Sequence, residues 1–186
     1  MTRDRSYPST VAGPFEAAPF AFEDRESREI ELRPYDGSDD EFEALVEMYV
    51  AFDPADRAQG IPPAGEDRVY DWLETIFAEG LNVAAFHGDE VAGHATLVPD
   101  ESHGEPGEHA YELAIFVLQT YQRAGIGREL LETLLGYGAR EGVDRVWLTV
   151  ERWNKAAVAL YRDVGFETCG SESFELEMSL RLNTDE

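Results

Sequence analysis

Two hydrophobic periodicities alternate along the chain, and the places where they change mark its elements. From Glu29, Ile30 and Leu32 alternate with charged residues as a half-buried strand does. Asp36-Gly37 then turns the chain, and the capping-box spacing of Ser38 and Glu41 predicts a helix from Asp39 to about Ala51. Asp53 to Ala64 carries three prolines and a glycine and reads as an irregular loop, after which a second helix runs from Glu66 to about Ala78. Val83–His87 and Val91–Val98 alternate as two strands of a hairpin turning at Gly88-Asp89, and the acidic segment from Pro99 to His109 reads as a solvent loop. Tyr111 to Leu118 is nearly continuous in apolar residues, the pattern of a strand buried on both faces.

The helical period returns with Ile126, Leu130, Leu131, Leu134 and Leu135, predicting a helix to about Arg140. Gly136 and Gly138 interrupt it at about 1 kcal/mol each relative to alanine. Val146, Leu148 and Val150 mark a further strand with Trp147 and Thr149 on its other face. Asn154 caps a helix through Ala157, Leu160, Tyr161 and Val164, closed by Gly165, and Phe174 to Leu182 alternates as a last strand. Before Glu29, Pro8, Pro14 and Pro19 break any period, so residues 1–28 read as an extended arm on which Phe15, Phe20 and Phe22 can pack. The predicted organisation is that arm, one folded domain over 29–182 and an acidic tail over 183–186. Its order is strand, two helices, three strands, helix, strand, helix, strand.

Composition adds a solvent argument. With 186 residues the chain fits one domain, and 39 Asp plus Glu against 15 Lys plus Arg leave a net charge of −24. Such a surface repels phosphate backbones and anionic lipids, which argues against nucleic-acid or membrane partners. Adaptation to a salt-rich cytoplasm would explain it, because at 1 M salt the Debye length is only about 3 Å; genome composition is the other explanation for having Lys155 as the only lysine. A single cysteine, Cys169, excludes an intramolecular disulfide, and no secretory or membrane-spanning run is visible, so a cytoplasmic location is expected.

Between the apolar strand and its helix lies Gln122-Arg123-Ala124-Gly125-Ile126-Gly127. Glycines there let backbone N–H groups approach a ligand, and the positive end of a helix favours an anion, although a strand-to-helix turn also uses glycine for geometry alone. The segment is neither a P-loop nor a dinucleotide fingerprint.

The run from Glu112 to Gly127, ending Gln-Arg-Ala-Gly-Ile-Gly, resembles the acetyl-CoA signature of the GNAT superfamily of N-acetyltransferases, whose pattern is Gln/Arg-x-x-Gly-x-Gly/Ala. Asn154 to Phe166, with Ala157, Tyr161 and Gly165-Phe166, is similar to the family's second segment. Gln119 stands where many relatives have proline. The resemblance spans roughly Glu29 to Leu182 and implies the GNAT fold: an α/β (α+β) domain with a mixed, mostly antiparallel sheet flanked by about four helices.

It further implies direct acetyl transfer from acetyl-CoA to a primary amine, a protein lysine or a small molecule, in a ternary complex without a metal. The pantetheine arm would pair with the backbone of Ile115 to Val117, and an N–H at Phe116 or Val117 would polarise the thioester carbonyl. Gln122, Arg123, Ala124, Gly125, Ile126 and Gly127 would hold the pyrophosphate, with help from Arg128. Glu112 takes the place of a catalytic glutamate in several relatives, as general base; facing solvent or holding the acceptor's charge are the alternatives. Tyr161 matches the tyrosine that protonates the departing thiolate, and is otherwise a core aromatic. Asn154 would touch CoA or serve only as a cap. His87, His94, His103 and His109 are the other possible bases. Cys169, in a turn-like Glu-Thr-Cys-Gly segment, is a poor covalent nucleophile. The competing class is a non-catalytic acyl-CoA sensor or assembly module; on either reading the chain is a monomer or a homodimer.

Overall fold

Eight strands make one sheet in the computed structural model, which describes residues 5–57, 61–101 and 110–182. In chain order the elements are β1 (Phe20–Glu23), β2 (Glu29–Pro34), α1 (Asp39–Val50), α2 (Glu66–Glu79), β3 (Leu81–His87), β4 (Glu90–Pro99), β5 (Ala110–Val117), α3 (Ile126–Arg140), β6 (Arg145–Glu151), α4 (Lys155–Val164), β7 (Glu167–Ser171) and β8 (Glu175–Arg181). The strand order is β1-β2-β3-β4-β5-β6-β8-β7, antiparallel throughout except for the parallel pair β5–β6. His103, His109 and the acidic tail lie outside the described residues. Among the described residues no helix is long and apolar enough to cross a membrane.

Local chemistry sets the helix boundaries. Ser38 Oγ accepts the Glu41 N–H at 3.2 Å, half of the predicted capping box; the other half is supplied by Asp36, whose carboxylate accepts the Ser38 N–H at 2.7 Å. Glu41 is thereby left to turn inward, 5% exposed, and burial together with the Asp36 charge raises its carboxyl to about 7. Helices α1 and α2 cover one face of the sheet and α3 the other, with Leu130, Leu131, Leu134 and Leu135 fully buried. The glycines of α3 have a packing reason. A Cβ on Gly136 would lie 2.5 Å from the carbonyl oxygen of Glu16, because the N-terminal arm crosses the helix there, and one on Gly138 would lie 2.7 Å from Leu97 Cδ1.

Three expectations change. The arm carries a strand, β1, whose Phe20 to Glu23 pair with β2 at the sheet edge. The segment around Cys169 is strand β7, with a bulge between Thr168 and Gly170, and is not a turn. Finally, β5 is not buried on both faces: Ala114 to Val117 are half-buried and Glu112 is exposed. The cause is its neighbour. β6 pairs with β5 only at Ala110–Arg145, Tyr111–Val146 and Glu112–Trp147, and beyond these three positions the strands part.

Candidate functional site

The parting of β5 and β6 leaves a backbone edge open inside the sheet. On its other side β5 pairs with β4 without interruption from Tyr111–Pro99 to Val117–Gly93. The Leu118 N–H donates to Ala92 C=O at 2.9 Å, toward β4. Amide direction alternates along a strand, so Phe116 also points its N–H at β4, while the N–H groups of Ile115 and Val117 face the gap. Half-buried backbone amides without a strand partner are open to another one.

The loop that follows is shaped to present further donors. A 3₁₀ turn over Gln119–Tyr121 leads into Arg123, at φ 62° in the left-handed region that a non-glycine residue rarely adopts. Gly125, at φ 90°, is the N-cap of α3 and has no side chain to cap it. The first amides of the helix, those of Ile126, Gly127 and Arg128, therefore lack carbonyl partners among the described residues. Ala124 is buried, and a Cβ on Gly127 would lie 3.8 Å from Val117 Cγ2, so the loop is held against the end of β5. Arg128 is engaged by two carboxylates, Glu132 at 3.2 Å and Asp163 at 3.8 Å, and the latter contact ties α3 to α4.

Two glutamines fasten this loop to the segment after α1. Gln122 Nε2 donates to Val117 C=O at 3.0 Å and to Asp56 Oδ2 at 2.9 Å. Gln119 accepts the Asp53 N–H at 3.1 Å and donates to Ala51 C=O at 2.8 Å, which gives a role to the residue that replaces proline.

The opposite face of β5 is aromatic and acidic. Phe116 meets the rings of Tyr49, Phe52 and Trp72 edge-on, with centroids 5.5 to 5.9 Å away. Beneath them the Tyr49 hydroxyl is 2.6 Å from His94 Nδ1, and His94 Nε2 is 2.9 Å from Asn82 Oδ1; burial depresses the imidazole to about 3, so it is a neutral core group. His87 pairs with the Tyr121 hydroxyl at 3.0 Å. Neither histidine occupies the open edge. Glu112 stands where the strands part, opposite Trp147, whose Nε1 is buried without a partner. Desolvation and then the Asp100 carboxylate raise its carboxyl above the ordinary glutamate range, against the lowering pull of Arg5. Sequence reasoning missed Arg5: it is 3.1 Å from Asp100 and 2.7 Å from Glu177, with its guanidinium 3.6 Å over the Trp147 ring. No periodic signal marks a lone arginine in a proline-broken arm.

Tyr161, on α4, packs against Phe166 with ring centroids 5.7 Å apart, and burial pushes its phenol up to about 12. Its hydroxyl has no hydrogen bond among the described residues. Asn154 Oδ1 accepts the Ala157 N–H at 3.2 Å, the cap expected of it. The Cys169 thiol, raised by burial, faces Glu177 at 3.6 Å in β7, away from the loop motif. No group of three or more His, Cys, Asp or Glu suited to a metal ion occurs among the described residues. Thus the structure gathers Ile115 to Val117 with Gln122 to Arg128, joins α4 to them through Arg128–Asp163, and leaves Glu112 about 10 Å along β5 from Ile115.

Known acetyltransferases are similar to the chain in sequence and in fold. The [ribosomal protein bS18]-alanine N-acetyltransferase of Escherichia coli is 50% identical over 104 residues, 52% of this chain and 65% of that protein, so the chain spans just under two thirds of that relative's length. The N-alpha-acetyltransferase RimI of Mycobacterium tuberculosis is 37% identical over 129 residues, 69% of this chain and 71% of that protein. The crystal structure of the GNAT domain of S. lividans PAT superposes with a TM-score of 0.73 at 18% identity, over 88% of this chain and 96% of that one, a likeness of fold. Residues 42–166, from the first turn of α1 to just past α4, match the Acetyltransferase (GNAT) family, and the chain belongs to it.

Proposed function

We propose that the protein transfers an acetyl group from acetyl-CoA to the α-amino group at a protein N-terminus. The observation that carries this reading is the open edge of β5 between Leu113 and Val117, ending at an uncapped helix N-terminus. An extended amide-bearing ligand with a phosphate end fits those two features together: its amides add to the strand and its phosphates accept the α3 amides. Ile115 or Val117 then supplies the N–H that polarises the thioester carbonyl, since Phe116 directs its own toward β4.

Acceptor chemistry favours an α-amine over lysine. An α-amino group, with pKa 7.7 to 8.0, is roughly a tenth neutral at pH 7, whereas a lysine near 10.4 is neutral in fewer than about one molecule in a thousand. Glu112, exposed and with its carboxyl raised by desolvation, is a base suited to the first case. At about 10 Å from Ile115 it takes the proton through water. Tyr161, kept protonated by burial, donates its O–H to the sulfur as the carbon–sulfur bond breaks. The relatives named for alanine and N-alpha acetylation support the same acceptor class.

The test is acetyl transfer followed by mass spectrometry on three acceptors: a peptide with a free N-terminal alanine, the same peptide blocked at its N-terminus but carrying an internal lysine, and a polyamine. Modification of the free N-terminus at more than ten times the rate of the others is expected. Preference for lysine or polyamine overturns the acceptor assignment, and acetyl-CoA binding without transfer to any amine leaves an acyl-CoA sensor.

A further inference from the structure

The N-terminal arm touches the loop before α3 through the β1–β2 hairpin, which lies outside both sequence motifs. Asp24 organises its turn: Oδ1 accepts the N–H groups of Glu26 and Arg28, each at 2.9 Å, and Oδ2 accepts Arg28 Nε at 2.8 Å. Its side chain is fully buried, and although burial opposes ionisation, these donors hold the carboxyl below its usual range. Arg28, so fixed, donates to Thr120 C=O at 3.2 Å and lies 4.4 Å over the Tyr121 ring. The hairpin is thus clamped to the entrance of the loop.

Arg25 sits at the tip. Its backbone N–H donates to Ala124 C=O at 3.0 Å, and its Nε lies 3.7 Å from where a Gly125 Cβ would be. Its guanidinium forms no hydrogen bond or ion pair among the described residues. Neighbouring Arg28 and Arg128, by contrast, are both paired with carboxylates, while Arg123 of the loop, like Arg25, has no such partner among the described residues. A rigid turn therefore delivers an unneutralised guanidinium to the one segment of α3 whose amides lack partners, where a phosphate would take it as a bidentate donor.

We propose that Arg25 is a phosphate-binding residue of the CoA site, contributed by the arm. This rests on the acetyl-CoA reading above. The phosphate is either the pyrophosphate or the 3′-phosphate of CoA, and the experiment separates them. CoA and dephospho-CoA, which lacks the 3′-phosphate, are titrated calorimetrically into wild type and into the Arg25→Ala, Arg25→Lys and Arg25→Glu variants, with melting temperature as the control for folding. Arg25→Ala should weaken CoA about fivefold to tenfold, Arg25→Glu more, and Arg25→Lys less, with melting temperature unchanged because the side chain is exposed. An equal loss with both ligands places Arg25 on the pyrophosphate, and a loss confined to CoA places it on the 3′-phosphate. CoA affinity within twofold of wild type in both Arg25→Ala and Arg25→Glu overturns the proposal while leaving the acetyl-CoA reading intact. Failure of wild type to bind CoA overturns both.

Discussion

The two sides of β5 are built from different materials. Toward α3 the site is backbone: the amides of Ile115 and Val117, the left-handed bends at Arg123 and Gly125, and the first turn of the helix. Toward α1 and α2 it is side chain: Phe116 against Tyr49, Phe52 and Trp72, then Glu112 beside Asp100 and Arg5. A backbone site requires a short contiguous segment with glycines in the right places. A side-chain site is assembled from residues far apart in the chain, each free to vary with the acceptor. The difference explains how one superfamily can hold its cofactor constant while changing what it acetylates.

The largest expected effect tests whether chemistry belongs to the cofactor side. Tyr161→Phe should lower kcat about 100-fold, the range for loss of a general acid, with the Kd for acetyl-CoA unchanged. A fall of less than threefold returns Tyr161 to the core as an ordinary aromatic. Next in size is the seam between the sides. Gln119→Ala removes two hydrogen bonds that tie the loop to the segment after α1. Net losses of this kind are roughly 1–2 kcal/mol, so the acceptor KM should rise about tenfold while kcat and acetyl-CoA binding stay within twofold. If acetyl-CoA binding weakens equally, the two sides act as one unit.

The smallest effect concerns the acceptor-side helix. Glu41 has a folded pKa of about 7 against an ordinary value near 4.5, so the folded state binds its proton more tightly. Its contribution is complete below pH 4.5 and declines as pH rises to about 7. Glu41→Gln should flatten that part of the stability curve and raise stability at pH 8 by about 1 kcal/mol, measured by chemical denaturation at several pH values. The comparison between variant and wild type cancels the general repulsion of an acidic chain. An unchanged slope would show that Glu41 ionises freely in the folded protein.

Legibility from sequence followed the same division. The four helices stand within a residue or two of their predicted ends because caps and apolar periodicity are local signals. The segment from Gln122 to Gly127 is also contiguous, but its reading as a phosphate site rested on its resemblance to the GNAT signature. Strands β1 and β7 were hidden because both are short and lie at the sheet edges, β1 directly after Pro19 and β7 with a bulge between Thr168 and Gly170, so neither shows a sustained alternation. The exposure of Ala114 to Val117 was hidden as well: an apolar run cannot reveal that its neighbour departs after Glu112. Arg5 and Arg25 were invisible because their meaning comes from what folds beside them.

The arm also joins opposite ends of the sequence. Ser179 Oγ donates to Ser6 C=O across 173 positions, and Val11 bridges to Arg181. During synthesis the segment that closes over β8 emerges well before β8 and must wait, undocked, until almost the whole domain has left the ribosome. Strands β1 and β2 can form their hairpin at once, whereas residues 5–12 are the last to find their place. Their docking should be a late step of folding, because their partners in β8 lie about 170 positions away.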